Sequence, residues 1–159
     1  MVRSVLKIVL FSCLVACSMF AQAEADGYGP SITLETAKQV AASAAEMARK
    51  QNFRVAIAIV DTAGNLVYFE KLDDTQTASV EVAIAKARSA GTYRRETKVF
   101  ETALSQGRTA ILGLPGAVPV EGGIPLVREG KVIGAIGVSG VKSEQDGQVA
   151  RAGADRLAQ

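Results

Sequence analysis

The chain has 159 residues, of which 18 are basic, 16 acidic and none histidine, for a formal net charge of +2. Arg3 and Lys7 belong to an apolar leader, so the rest of the chain carries 16 charges of each sign, which excludes the surplus of Lys and Arg that nucleic-acid binding needs. The absence of histidine excludes Ser-His-Asp and Cys-His catalysis and removes the usual zinc and haem ligand.

Residues 1–23 read as an export signal, with Arg3 and Lys7 as the positive flank, Ile8 to Phe20 as the apolar run and Ala21-Gln22-Ala23 as the cleavage site. The run is too short for a membrane span. Leu14-Val15-Ala16-Cys17 also fits a lipoprotein box, which would anchor the chain through a lipid on Cys17; both readings place the protein in the periplasm or outside the cell. Cys13 and Cys17 are the only cysteines, so cleavage after Ala23 leaves no thiol or disulfide. The remaining 136 residues, 24–159, are predicted to form a single domain.

Glu24 to Pro30 reads as a mobile polar lead. Leu34, Ala37, Ala41, Ala44 and Ala48 share one helical face, which predicts a helix from an N-cap at Thr33 to about Gln51. Arg54 to Asp61 and Leu66 to Lys71 form a first hairpin around Asp61-Thr62-Ala63-Gly64-Asn65, and Val55 to Val60, apolar on both faces, is placed centrally in a sheet. A second helix is predicted from about Thr77 to Ala90, stopped by Gly91, with Val80, Ala83, Ile84 and Ala87 inward. Val82, Lys86 and Ser89 form a second face, from which Lys86 and Ser89 are expected to project away from the core. A short helix over Lys98 to Ser105 ends at Gly107, and a short strand is expected near Ala117 to Val120.

Glu129-Gly130 between two apolar runs predicts a tight hairpin of Ile124 to Arg128 and Lys131 to Ser139. Gly134 and Gly137 inside the second strand require close packing by a helix, a ligand or another subunit. Ser143-Glu144-Gln145-Asp146 begins the last helix as a capping-box pattern. The fold class is α+β, an antiparallel sheet of about five strands with helices packed on it.

Chemistry-bearing candidates are few. Gly122-Gly123 could present backbone amides to a carboxylate, or simply permit a bulge. Lys86, Arg88, Arg94 and Arg95 could meet acidic groups, although Glu81 and Glu96 offset the last two. Tyr28, Tyr68, Tyr93 and Met47 are the only side chains after the leader of the types that commonly ligate an iron cofactor when histidine and cysteine are absent; Tyr93 is the preferred one for its place beside Lys86-Ala87-Arg88-Ser89-Ala90, and Met47 is read as core filler. Glu70, Asp73 and Asp74 lack the spacing of a calcium loop, and no metal site is assigned.

Gly122-Gly123-Ile124-Pro125, Gly134-Ala135-Ile136-Gly137-Val138-Ser139-Gly140, Gln145-Asp146 and, upstream, Lys86-Ala87-Arg88-Ser89-Ala90 together resemble the GlcG/HbpS-type haem-binding family, which is also similar to the PduO C-terminal domain. The resemblance runs from about Ser31 to the C-terminus. It implies a profilin-like α-β-α fold, haem or a related tetrapyrrole as ligand, and a homo-oligomer. The expected binding site lies between the second helix and the glycine loop, formed by Lys86, Ser89, Tyr93, Gly122, Gly123, Ile124 and Pro125. No catalytic residues are assigned; the alternatives are an enzyme acting on a small carbonyl or organic acid through Lys86 and Gly122-Gly123, and an oligomeric signalling or accessory protein.

Overall fold

The computed structural model describes residues 27–158; the leader, Cys17 and the cleavage site lie outside the described residues. The elements are α1 (Leu34–Lys50), β1 (Ala56–Val60), β2 (Leu66–Lys71), α2 (Ser79–Tyr93), α3 (Thr97–Ser105), β3 (Gly123–Arg128), β4 (Lys131–Ser139) and α4 (Ser143–Ala154). The strands form one antiparallel sheet in the order β2-β1-β4-β3.

Alternation along β1 determines what covers each face. Ile57 and Ile59 point to one side and meet Val40, Ala44 and Ala48 of α1 and Val149 of α4. Ala56, Ala58 and Val60 point to the other and meet Ala83, Ala87 and Ala90 of α2. The first face is filled by long aliphatic side chains. The second is nearly all alanine and glycine, so the backbone of α2 comes down onto β4. A Cβ added at Gly137 would lie 2.1 Å from the Ala83 carbonyl oxygen, which identifies the close partner of this strand as α2.

Both predicted hairpins form. At the second turn Glu129 and Gly130 both take positive φ, 52° and 75°, the pattern of a tight turn that matches strand twist. Thr33 caps α1 as expected, its hydroxyl oxygen accepting from the Thr36 amide.

Four expectations require correction. The sheet has four strands among the described residues: the segment at Ala117 to Val120 is not a strand, because Pro119 lacks an N–H for the ladder and the Val118 amide donates to Ser89 Oγ at 3.0 Å instead. Gly91 does not stop α2, which continues to Tyr93 and ends where Arg94 turns left-handed; Gly91 is buried against Ala135. Residues 27–30 of the lead are tied down, Gly29 donating to the Val132 carbonyl and the Val132 amide to that of Gly27. Ser143 is the first residue of α4 rather than its cap; the Gln145 side chain accepts from the Lys142 amide and Asp146 Oδ1 from the Val141 amide.

Candidate functional site

Lys86 lies on the face of α2 that meets β4, and this overturns the expectation that it projects outward with Ser89. Its side chain is 1% exposed and the Asp146 side chain 3%. The Lys86 ammonium donates to Asp146 Oδ2 at 2.8 Å and to the Val138 carbonyl at 3.0 Å, joining α2, β4 and α4 at one point. Burial pushes the Asp146 carboxyl above its ordinary range, against the pull of the Lys86 charge and of amide hydrogen bonds. Ser89 is equally buried and spends its oxygen on the Val118 amide.

The glycine pair explains how this packing is possible. A Cβ on Gly122 would lie 2.9 Å from Lys86 Nζ, and one on Gly123 would lie 2.4 Å from the Lys86 carbonyl oxygen. The Gly123 amide donates to Thr97 Oγ1 at 2.9 Å, so it is not held ready for a ligand anion. Gly122 is glycine because its φ of 129° and the Val138 carbonyl oxygen, 2.6 Å from where a Cβ would stand, exclude a side chain, and Gly123 is glycine because the backbone of α2 presses against it; the space expected to hold a ligand between α2 and this loop is occupied by protein.

The cleft opens on the other side of the same loop. About 470 Å³ in volume, it is floored by Gly122, Gly123, Ile124 and Gly147 and walled by Met47 of α1, by Gln148, Arg151 and Ala152 of α4, by Asp155, and by Glu96, Lys98 and Glu121 near α3. Glu121 is fixed in place: its amide donates to Glu101 Oε2 at 2.6 Å, and Glu101 Oε1 accepts from the Ser143 hydroxyl. Lys98 pairs with Glu121 at 3.1 Å, and Arg151 pairs with Glu96. A second depression, of about 370 Å³, lies beside the end of α1 and is lined by Phe53, Leu72 and the paired Arg49, Arg54 and Glu70.

Of the expected site residues, Gly122, Gly123 and Ile124 line the cleft, while Lys86, Ser89, Tyr93 and Pro125 do not. Tyr93 donates its hydroxyl to the Pro115 carbonyl at 2.7 Å and meets the Phe100 ring edge-on. Tyr28 is likewise engaged with the carbonyls of Gly91 and Thr92, and Tyr68 with Glu70. The basic cluster does not converge: Arg88 donates to the Gly64 carbonyl, Arg94 stacks over Tyr28 and Arg95 over Phe100. Glu70 and Asp74 face Arg49 and Arg54. Sequence reasoning missed Lys98, Glu121, Gly147 and Arg151; Met47, read as core filler, does pack against the core and also lines the cleft.

Comparison with known proteins gives a consistent result. A model of the family described as "Haem degrading protein HbpS-like" matches residues 32–155. Protein GlcG of Escherichia coli K12 is 40% identical over 108 residues, covering 68% of this chain and 81% of that protein. Among solved structures, a double mutant of HbpS from Streptomyces reticuli superposes with a TM-score of 0.75 at 32% identity, covering 82% of this chain and 90% of that one. A structure titled as the complex of PduOC with heme has a TM-score of 0.73 at 27% identity, covering 80% and 95%. The chain belongs to the HbpS-like family.

Proposed function

We propose that the protein is an exported small-molecule-binding domain whose ligand is haem or a related tetrapyrrole, held in the cleft between α1, α4 and the 121–124 loop. The cleft carries the reading. Its volume lies in the usual range for a small-ligand site, and it combines a glycine floor and apolar side chains with a few polar groups. HbpS and the heme-bound PduOC share this fold. Export rests on the leader and its A-x-A site.

The residues present fit haem through packing and charge more than through iron ligation. Met47, Ile124 and Ala152 offer apolar contact, and Lys98 and Arg151 are cations of the kind that face propionates. Met47 is the one lining residue whose side-chain type commonly ligates haem iron when histidine and cysteine are absent. The phenols already donate to protein oxygens, so a phenolate-ligated haem would have to break those bonds. When bound, haem supplies an iron centre; the chain's own part is to orient the macrocycle and shield one of its faces. Lys86, buried and paired, is not placed to meet a substrate, so the carbonyl-enzyme reading loses its amine. Absorbance titration tests the proposal: a Soret shift beyond that of a non-binding control protein supports it, and no shift refutes it.

A homo-oligomer belongs to the same reading, but the interior glycines do not argue for it. Gly137 is covered by α2, and Gly153 packs on Val40 and Ala44 of α1. Val99, Leu112, Leu114 and Val120, exposed apolar residues on or after α3, with Leu112 66% exposed, offer a surface for a second copy instead. A monomer by light scattering at micromolar concentration would refute this part.

A further inference from the structure

The two cations of the cleft stand on different helices, Lys98 on α3 and Arg151 on α4, and each is paired with a glutamate that lines the same cleft. The cations are exposed, the Lys98 side chain by 56% and that of Arg151 by 40%, while Glu121 and Glu96 are more covered, at 16% and 25%; a pair whose cation is reached by water is held weakly. Glu121 is held by the scaffold. Glu121 is anchored by its amide on Glu101, and its carboxylate lies over Gly147, where a Cβ would come within 2.4 Å of it. With Asp155, the walls carry three carboxylates against two cations. Among the described lining residues each cation already faces a carboxylate, so an anionic ligand that reaches either one competes with that carboxylate.

We propose that Glu121 and Glu96 are resident stand-ins for ligand carboxylates: the cleft takes a flat apolar molecule with two carboxylate groups, one exchanging for Glu121 at Lys98 and the other for Glu96 at Arg151. This rests on the reading of the cleft as the ligand site. It assigns opposite effects to the two members of each pair. Removing a cation removes an anchor, whereas neutralising its glutamate removes a competitor. A purely structural ion pair would show no such opposition, because losing either partner breaks the same bond.

The test titrates ferric haem and its dimethyl ester, which lacks free carboxylates, into the full exported chain and into Lys98→Gln, Arg151→Gln, Glu96→Gln and Glu121→Gln, with a thermal melt of each to confirm folding. For haem, the expected result is about tenfold weaker binding in each cation variant and several-fold tighter binding in each glutamate variant. The ester should bind all five proteins alike. If the ester binds as tightly as haem and the variants do not separate, the exchange is overturned while the haem reading stands. If neither compound binds any of the proteins, the haem reading falls and the exchange falls with it.

Discussion

Two kinds of ion pair lie on either side of the Gly122-Gly123 loop, and they do different work. Beneath the loop, Lys86 and Asp146 are sealed from water and bonded to backbone groups as well as to each other. Above it, Lys98–Glu121 and Arg151–Glu96 border a cleft and keep their cations in water. Desolvation makes a buried pair costly to break on one side only, whereas a solvated pair can trade partners at little cost. The buried pair therefore belongs to the fold and the rim pairs are the ones proposed to serve binding, although both consist of the same chemical groups.

The largest effect expected from this contrast is on stability. Lys86→Ala leaves Asp146 buried without its counter-ion and should cost about 3–5 kcal/mol in urea unfolding. Lys86→Met with Asp146→Asn, which removes both charges and keeps an acceptor for the Val141 amide, should recover most of that loss. If Lys86→Ala were nearly neutral, the distinction between the two regions would fail.

Next is the close approach of α2. Gly137→Ala places a methyl group against the Ala83 carbonyl and the Ala87 amide and should cost about 1–3 kcal/mol or more. Gly113→Ala, where a Cβ would meet nothing, serves as the control and should change little. The phenol comparison is smaller. Tyr93→Phe removes one hydrogen bond to the Pro115 carbonyl, about 1 kcal/mol, and should leave a haem spectrum unchanged. Met47→Leu should cost less than about 1.5 kcal/mol yet alter that spectrum.

The smallest effects appear in pH titration, where two aspartates move in opposite directions. Burial raises Asp146, so its stabilising contribution is complete below the unfolded-state value and is lost as pH rises through the folded one. For Asp61, slight burial is outweighed by hydrogen bonds from the Asn65 amide and side chain and from the amides of Ala63 and Gly64; its carboxyl is lowered, and its contribution is lost as pH falls through the folded value. Carboxyl-carbon NMR should show Asp146 titrating above Asp61.

The hairpins and helix faces were legible because their signals are local: a Glu129-Gly130 turn, a Thr33 cap, a β1 run apolar on both faces. The burial of Lys86 was not. Helical spacing places it on a face shared with Val82 and Ser89, but nothing within a turn of it announces a partner 60 residues away. Asp146 stands out in the sequence as a helix-start residue and as part of the Gln145-Asp146 motif, but neither signal names Lys86 as its partner, because capping and ion pairing call for the same side chain. Met47 resembled core filler because a methionine on a small-residue helix is suited to either role. The cleft itself is made by α1, α3 and α4 converging on the glycine loop, a juxtaposition that no short motif encodes.

On the proposed reading, ligand binds on the α4 side of that loop, since the α2 side is filled by Lys86. A crystal structure of the haem complex tests it most directly. Density for the macrocycle is expected against Met47, Ala152 and the Gly122-Gly123 backbone, with Lys98 and Arg151 turned to the propionates. Haem seated beside Ser89 and Pro125, or in the depression at Phe53 and Leu72, would contradict it.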